Sequence, residues 1–359
     1  MTTAPGRAPD DARRTVISAI FGTLATQAIG LAARLDLAEH IGDGDGEAEV
    51  TDLAAACGMP AEQLTRLLRV LASLGLCTEH ANGRFGLTEA GALLRSGHPA
   101  SLLDFVTFLT AKVFQRNWLN VDDSLRTGLP AFDAEHGMPV YDYLSEHPEL
   151  ATLFHAAMSR RTQPSAMAEA ISVDYNFGRF VSVTDVGGGD GTLLAALMAR
   201  HPHLSGTVLE TEAGVARARE TIAAAGLARR CRAIAGDFFA EVPKGSDLYF
   251  IKNVLLNWND GAAETILRRC RAAMPDHGRL LIVEPVLPAL AHADTVNSAA
   301  VENPYLTDLH MLVTLGGRGR TGAEYTALLA RAGLRVTGIT PLAREINTAL
   351  VDAVPDTRG

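Results

Sequence analysis

The sequence predicts an α/β protein in which a helical, winged-helix N-terminal region precedes an open, doubly wound parallel β-sheet. Two patterns lead to this prediction. After about residue 181, short apolar segments alternate with amphipathic ones, as in successive β-α-β units. Before residue 100, helical periodicity leads into a helix–turn–helix and hairpin pattern. A chain of 359 residues is long enough for two such domains, and 47% hydrophobic with 20% charged residues is typical of globular proteins.

The chain begins with a polar stretch that is followed by a long apolar segment. Residues 12–40 repeat Ala, Leu and Ile at helical spacing. The nineteen residues between Arg14 and Arg34 are uncharged and almost long enough to span a membrane. Their threonine, serine, glutamine and glycine residues make the segment only moderately hydrophobic. We therefore expect a helix that is buried in a core or in a subunit interface, and no membrane partner.

The cysteine pattern and the net charge limit which classes of protein are possible. The four cysteines are scattered without a C-x-x-C pair, and the polar N-terminus has no signal-peptide pattern. Both observations favour a cytoplasmic protein with reduced thiols and no zinc site. The net charge of −9 weighs against a nucleic-acid partner, because nucleic-acid binders usually carry a basic face.

The next segment has the pattern of a winged helix, with helices at 51–56 and 61–74 and a hairpin near Asn82. A winged helix can bind DNA through its second helix. Here that helix offers only Arg66 and Arg69 among leucine, valine and alanine, and lacks polar residues suited to reading base edges. We therefore expect a structural or dimer-forming role.

Residues 101–180 are rich in aromatic and helix-forming residues, and we expect helices that cover a pocket. The strands of the sheet are expected at 181–186, 206–210, 231–236, 247–255 and 278–286, with helices at 192–201, 215–226 and 261–274. The chain is therefore divided into a helical, winged-helix domain at 1–100, a helical linker and pocket cover at 101–180, and the sheet domain at 181–359.

A glycine-rich loop directly after the first strand of the sheet is the strongest chemical signal. Asp185 ends this strand, and the loop has glycines that include Gly187 and Gly189 before a helix begins. Glycines there let the backbone approach a ligand at the carboxyl ends of the strands. A phosphate-binding P-loop is excluded because Thr192 and Leu193 stand where Lys and Ser or Thr are needed. The dinucleotide fingerprint fails as well, since Thr192 replaces its third glycine.

Two further acidic positions indicate which ligand the loop would take. Glu210 ends the second strand, where a carboxylate can accept hydrogen bonds from both ribose hydroxyls of a nucleoside. Asp237 and Phe238 follow the third strand and suit the amino group and the face of an adenine. A nucleoside without a pyrophosphate fits this set, so the predicted cofactor is S-adenosylmethionine (SAM).

With these motifs in place, the chain resembles the plant-type (family 2) SAM-dependent O-methyltransferases, in particular the bacterial branch that tailors antibiotics. The matching segments are residues 124–158, DVGGGDGTLLAAL, 236–243, 255–274, 278–286 and 308–321, together with the winged-helix start. The resemblance implies an intertwined homodimer, an N-terminal dimerisation domain and a Rossmann-like class I methyltransferase domain. It also implies that Lys252 lines the cofactor beside the residues named above.

The chain departs from the family where the family keeps its base. The common pattern V-L-H-D-W-D-D is here V-L-L-N-W-N-D, so Leu256 replaces the histidine that takes the proton from a phenol. The pattern G-G-x-E-R-T is here G-G-R-G-R-T, so Gly319 replaces the glutamate that orients this histidine. Glu284 keeps the first family acid. The L-L-N-W form resembles the anthracycline-tailoring subgroup, typified by carminomycin 4-O-methyltransferase and aclacinomycin 10-hydroxylase.

Three residues are candidates for catalysis in place of the missing histidine. Asn257 is expected at the cofactor-facing end of a strand, where it would hold a substrate carbonyl or hydroxyl; the alternative is a helix N-cap. Tyr141 matches a pocket tyrosine of the subgroup, or else is a core aromatic residue. His310 is a substitute base, or else a histidine packed in an apolar helix.

Four other residues are candidates for lining the substrate pocket. Arg320 contacts substrate or forms a salt bridge between helices. Asp308 is a pocket acid or a helix cap. His155 and Met158 are expected as pocket-lining residues only. We expect no metal site.

The sequence therefore predicts a methyltransferase that acts on an aromatic or polyketide secondary metabolite, with transfer to oxygen favoured. Alignment and exclusion of water would carry the reaction without the usual base. Three alternatives stay open. The enzyme uses SAM without transferring methyl, in hydroxylation or decarboxylation; it methylates nitrogen or carbon; or the chain is a DNA-binding regulator that senses SAM.

Overall fold

The computed structural model describes residues 9–42, 46–291, 303–342 and 348–357. The chain forms two compact units, the first made of Met1–Gln115 with Glu149–Arg161, and the second of Arg116–Pro148 with Thr162–Gly359. The first unit is therefore built from two separate stretches of chain. The domain boundaries at residues 100 and 180 stay predictions.

The helices are α1 (Pro9–Arg34), α2 (Leu37–Ile41), α3 (Val50–Cys57), α4 (Ala61–Ser73), α5 (Glu89–Ala92), α6 (Leu103–Leu109), α7 (Lys112–Gln115), α8 (Val121–Thr127), α9 (Ala131–His136), α10 (Val140–Glu146), α11 (Pro148–Thr162), α12 (Pro164–Asp174), α13 (Thr192–Arg200), α14 (Glu212–Ala224), α15 (Asp260–Ala273), α16 (Pro304–Leu315) and α17 (Gly322–Arg331). The strands are β1 (Glu47–Glu49), β2 (Cys77–His80), β3 (Arg84–Leu87), β4 (Ser182–Val186), β5 (Ser205–Glu210), β6 (Cys231–Ala235), β7 (Leu248–Lys252), β8 (Arg279–Glu284), β9 (Val286–Leu287), β10 (Arg320–Thr321), β11 (Leu334–Pro341) and β12 (Ala349–Pro355).

The first unit contains the winged-helix elements in the expected order. Helices α3 and α4 are followed by the hairpin of β2 and β3, and β1 pairs antiparallel with β3 to give the order β1-β3-β2. Its core is a cluster of buried leucines and one aromatic ring that includes Leu53, Leu64, Leu68 and Phe85. Strand β1 was not predicted, because a strand of three residues is too short for an alternating pattern to be recognised.

Helix α1 exposes an apolar face along its N-terminal half. Val16, Ile17, Ile20, Phe21 and Leu24 are each 41–64% exposed, and their spacing places them on one side of the helix. Among the described residues, α1 from Ala12 to Arg34 has the length and composition of a membrane span, which a core helix can also have. The N-terminal half is not buried in this chain's own core. Of the two environments that the sequence predicts, the subunit interface is the one that this exposure favours.

The second unit is built on a seven-stranded sheet with the order β11-β12-β8-β7-β4-β5-β6. Neighbouring strands from β8 to β6 are parallel, as the sequence predicts. The predicted parallel sheet is extended at one edge by β11 and β12, which the sequence did not predict, and β12 runs antiparallel to β8 and β11. The connection from Pro341 to Ala349 is too short for the crossover that a parallel pair needs, so the chain returns as a hairpin.

Helices cover both faces of this sheet. Along β7, Phe250 belongs to a hydrophobic cluster with Leu194 and Val208, whereas the next residue, Ile251, belongs to a second cluster with Leu267. Because successive strand residues point to opposite faces, each cluster is the core on one side of the sheet. Because helices cover both faces, ligands have access to the sheet at the carboxyl ends of the parallel strands, and the polar residues described below lie at these ends.

Strand β7 ends earlier than the sequence predicts. It stops at Lys252, and Asn253 then adopts a left-handed backbone conformation with φ of 54°. Asparagine is among the few residues other than glycine that tolerate this region. The chain continues into a 3₁₀ turn at Leu255–Asn257, which leads to α15.

Candidate functional site

The glycine-rich loop after β4 crosses the carboxyl edge of the sheet with its backbone exposed to any ligand. Gly187 and Gly189 have φ of 72° and 60°, which favour glycine. A Cβ atom on Gly187 would lie 2.8 Å from Val254 Cγ2, whereas one on Gly189 would meet no atom within 4 Å. The loop is thus packed on one side and open on the other, as a cradle for a ligand requires.

Charged groups from three neighbouring strands surround this loop. Asp185, at the end of β4, is buried. The pKa of Asp185 is raised to about 7, chiefly by burial and then by the carboxylate of Glu210, while the ammonium group of Lys252 lowers it. These three residues, all predicted from the sequence to line the cofactor, therefore lie close enough to interact.

The third strand contributes an acidic residue and an aromatic ring. Asp237 Oδ1 accepts a hydrogen bond of 2.8 Å from the backbone N–H of Phe239. The ring of Phe238 lies beside the loop, 3.5 Å from where a Cβ of Gly187 would stand. Phe238 also meets Trp258 edge to face, with ring centroids 6.4 Å apart. An open glycine cradle, a carboxylate on β5 and an aromatic face after β6 fit an adenosine with a short charged tail.

The turn between Asn253 and Trp258 carries a hydrogen-bonded pair of neutral groups. Asn257 Nδ2 donates to the hydroxyl of Tyr141 at 3.0 Å and to the carbonyl of Asn253 at 3.2 Å. The rings of Tyr141 and Trp258 stack with centroids 5.8 Å apart. Leu256, where the family pattern has its histidine, is only 8% exposed.

Tyr141 stays protonated at neutral pH in this setting. The residue is 37% exposed, and its hydroxyl accepts the hydrogen bond from Asn257. Burial, followed by the charge of Glu210, raises the pKa of this hydroxyl, and the Asn257 hydrogen bond lowers it only partly. The alternative role of Asn257 as a helix N-cap does not hold, since Asn259 caps α15 by accepting from the N–H of Ala262.

His310 lies on α16 and is held by Trp118. The Trp118 Nε1–H donates to His310 Nδ1 at 3.2 Å, and the two rings are tilted by only 3°. Because an indole N–H can only donate, Nδ1 must be the unprotonated nitrogen, and the proton of the neutral imidazole is on Nε2. The hydroxyl of Thr314 lies 3.3 Å from the same Nδ1. This arrangement argues against the substitute-base hypothesis and favours the packed alternative.

The loop before β10 engages the two other predicted pocket residues. Asp308 Oδ1 accepts a hydrogen bond of 2.6 Å from the N–H of Gly319, which stands where the family has its glutamate. Arg320 is fully buried. Its guanidinium group binds Asp260 at 3.0 Å and the carbonyl oxygens of Leu255 and Trp258 at 2.9 Å each. Arg320 therefore forms a salt bridge, but from β10 to α15 and not between two helices as predicted, and its donors are directed to protein acceptors.

Comparison with known protein families decides the class. A model of the O-methyltransferase domain matches residues 118–335, and a model of the O-methyltransferase dimerisation domain matches residues 17–97. The chain belongs to the SAM-dependent O-methyltransferase family. The resemblance noted from the sequence is thereby confirmed, as are the Rossmann-like fold and SAM as the cofactor. The second match supports a homodimer.

Three relatives illustrate the range of this family. The chain is 41% identical to O-demethylpuromycin-O-methyltransferase of Streptomyces alboniger, over 96% of this chain and 89% of that protein. It is 35% identical to aclacinomycin 10-hydroxylase RdmB of Streptomyces purpurascens, over 93% of this chain and 89% of that protein. The O-methyltransferase NcsB1 has been crystallised with SAM and 2-hydroxy-5-methyl naphthoic acid. Its sequence is 33% identical to this chain, and the two structures match with a TM-score of 0.78 over 92% of this chain and 96% of NcsB1.

Two residues that the sequence predicts in the methyltransferase pocket lie on the first unit. His155 and Met158 are on α11, where the ring of His155 meets that of Phe154 with centroids 5.2 Å apart. Their place in the pocket stays a prediction. Conversely, Gly317 was not predicted as a site residue, although an added Cβ there would clash with the carbonyl oxygen of Leu256. The only signal for it is the glycine pair at 316–317.

The buried carboxyl of Asp185 makes the stability of this methyltransferase depend on pH. Its pKa rises from 3.8 to about 7 on folding, so its contribution is fully present below pH 3.8 and is lost as the pH rises through about 7. We expect Asp185→Asn to flatten the decline in unfolding free energy between pH 5 and pH 8 by about 3 kcal/mol. Urea unfolding at both pH values, without ligand and at one protein concentration, measures this. The exposed Asp276→Asn is the control, and equal slopes in all three proteins would contradict the assignment.

Proposed function

We propose that this enzyme transfers the methyl group of SAM to a hydroxyl of an aromatic secondary metabolite, and that alignment by Asn257 and Tyr141 replaces the usual histidine base. The pair of neutral side chains joined at 3.0 Å, beside the apolar Leu256, is the observation on which this proposal depends. The protonated phenol can donate a hydrogen bond to a substrate, and the carboxamide, which donates to the phenol oxygen and to Asn253, can orient that phenol. Neither can accept a proton at neutral pH.

The cofactor half of the site supports the same proposal. The backbone of the Gly187–Gly189 loop would cradle the amino-acid part of SAM, with Asp185 and Lys252 beside it. Glu210 would accept from the ribose hydroxyls, and Asp237 with Phe238 would hold the adenine. When bound, SAM supplies a methyl group on a positively charged sulfur, which is a strong electrophile that needs only an aligned nucleophile.

The loss of a base limits the acceptor that such a site can use. Orientation of the reactants in a closed site can lower the activation free energy by up to roughly 7–11 kcal/mol. A general base increases the rate by a smaller amount, about 10²–10⁴-fold. The reaction is therefore efficient without a base when the acceptor hydroxyl is acidic, as in a phenol conjugated to a quinone or a carbonyl. Tyr141 would donate a hydrogen bond to an oxygen of such a substrate, and Asn257 would fix the orientation of Tyr141.

Mass spectrometry with methyl-labelled SAM tests the function directly. The protein is incubated with hydroxyquinones, hydroxynaphthoates and aminoaromatic compounds, and products are fragmented to locate the label. We expect label on a phenolic oxygen, and about a 10–100-fold lower rate for Asn257→Ala. Label on nitrogen or carbon would reassign the acceptor atom. Consumption of substrate without label transfer would contradict the proposal and favour the non-methylating alternative, which the missing His–Glu pair and the hydroxylase relative support.

We infer further that the exposed face of α1 forms the subunit interface of the homodimer. Placing two charges at its centre, with Ile20→Glu and Phe21→Glu together, is expected to weaken dimerisation by at least about a hundredfold, because unpaired charges would be buried. Light scattering coupled to gel filtration gives the mass in solution. Ala19→Glu, which adds a single charge on the flank of the helix, serves as the control. A dimer that survives the double substitution would place the interface elsewhere.

A further inference from the structure

The turn that carries Asn257 is held from one side by a buried carboxylate. We call residues 253–258 the Asn257 turn. The backbone N–H groups of Val254 and Leu255 both donate to Glu284 Oε1, at 2.8 and 2.6 Å. The hydroxyl of Tyr325 donates to the other oxygen of Glu284. Burial raises the pKa of Glu284, and donors on both of its oxygens oppose this rise. In all three hydrogen bonds Glu284 is the acceptor, as a carboxylate would be.

The carbonyl groups of the same turn are bound by a buried cation. Arg320 donates to the carbonyl oxygens of Leu255 and Trp258, at 2.9 Å each. It is anchored by Asp260, whose Oδ1 accepts from its Nε at 3.0 Å. Glu284 therefore binds the N–H groups of the turn and Arg320 binds its C=O groups.

Both charged side chains are fully buried, and stability alone does not account for this. Removing a carboxylate and a guanidinium group from water is unfavourable, and apolar replacements of buried ion pairs are often neutral or stabilising. A pair that binds the backbone of one turn, however, fixes the position of that turn. Close packing at Gly317 also fixes the position of the turn. The loop that carries Arg320 lies so close to the backbone of Leu256 that no side chain fits at position 317.

We propose that Glu284 and Arg320 are positioning residues that clamp the Asn257 turn and thereby hold the Asn257 amide against the Tyr141 hydroxyl. This inference rests on the proposed function, in which Asn257 and Tyr141 align the acceptor. The family acid at Glu284, which has no histidine beside it here, then acts through the backbone. Arg320, predicted from the sequence to contact substrate, acts in the same way.

Hydrogen–deuterium exchange of the full-length protein tests the clamp without any substrate. Glu284→Gln removes the charge and one acceptor, and Tyr325→Phe removes a single hydrogen bond to Glu284. Tyr175→Phe is the matched control, because it removes a tyrosine hydrogen bond of 2.8 Å to another carboxylate, Asp352. We expect exchange in residues 253–258 to rise at least about tenfold in the first two variants and to stay unchanged in the control. Unchanged exchange there, or a rise spread over the whole sheet, would overturn the clamp.

A double-mutant cycle separates positioning from a general structural role. If the clamp acts through Asn257, Tyr325→Phe will lower kcat several-fold in the wild-type background and hardly at all in Asn257→Ala. The affinity for S-adenosylhomocysteine (SAH), measured by calorimetry, is expected to be unchanged. Additive losses in kcat, or a loss of SAH affinity that equals the loss in kcat, would overturn the proposal. If the wild-type protein transfers no methyl, the proposed function fails, and the exchange measurement still decides the clamp.

Discussion

Gly187→Ala is expected to weaken binding of SAM and SAH by about a hundredfold or more. The added Cβ would stand 2.8 Å from Val254 Cγ2, a distance at which one of the two groups must move. Val254 cannot move freely, since its N–H is bound to Glu284. Alanine also disfavours the φ of 72° at this position. The loop would shift, and the backbone groups that cradle the cofactor would shift with it.

Isothermal titration calorimetry with SAH measures this loss. The control is Gly226→Ala, which imposes the same strain at φ of 68° but meets no atom within 4 Å. We expect it to lower stability by about 1 kcal/mol and to leave SAH affinity unchanged. If Gly187→Ala binds SAH as tightly as this control, the loop after β4 is not the cofactor cradle.

Leu256→His is expected to speed methylation of weakly acidic phenols by about tenfold or more, and to leave acidic hydroxyquinones unaffected. The substitution restores a base at the position where the family has it, and a general base contributes about 10²–10⁴-fold when well oriented. The gain will be at the lower end because Gly319 supplies no carboxylate to orient the imidazole. The wild-type rate should follow the ionisation of the substrate.

Profiles of kcat/KM against pH for a series of phenols check this prediction. In the wild-type enzyme, the apparent pKa of the profile should move with the pKa of each phenol, whereas in Leu256→His a constant value near that of histidine should emerge. Leu256→Asn is the control for polarity without basicity. One profile shared by all substrates in the wild-type enzyme would instead point to a base in the protein, and the alignment mechanism would then be wrong.

Position 319, where the family has its orienting glutamate, is crowded in this chain. A Cβ on Gly319 would lie 3.1 Å from Leu287 Cδ1 and 3.4 Å from Asp308 Cβ. Asp308 already binds the N–H of this residue. The loss of the family glutamate is therefore matched by packing that has closed over its place. Leu256→His alone is more informative than a double substitution with Gly319→Glu, which would also disturb this packing.

The parallel part of the sheet and the ligand-binding end of its strands could be predicted from the sequence. Apolar strands and glycine-rich loops are recognisable from short, continuous stretches of residues. The direction of β12 was not predicted, because it depends on the length of a connection and on which edge is free. The sequence offered Asn257 as an alternative N-cap, but Asn259 caps α15. The two asparagines are only two residues apart, and the sequence pattern does not locate the start of a helix that accurately.

The hydrogen-bonded groups of the site could not be predicted in the same way. Tyr141 and Asn257 are 116 residues apart and meet through tertiary packing. Arg320 was left open between substrate and salt bridge because a sequence does not reveal burial. His310 was proposed as a base without knowledge of Trp118, whose N–H takes up the nitrogen lone pair that a base would need.

The first unit is interrupted in sequence, and this has a consequence for how the chain matures. Residues 149–161 belong with the first 115, and Phe154 packs against Phe108 with ring centroids 5.3 Å apart. A ribosome that has finished the winged helix has therefore not yet supplied all of that unit. Completion of the N-terminal unit waits until translation has passed through the first stretch of the second unit, Arg116–Pro148, and then α11. A fragment cut at residue 100 would therefore lack Phe108 and Phe154, the aromatic pair of this unit.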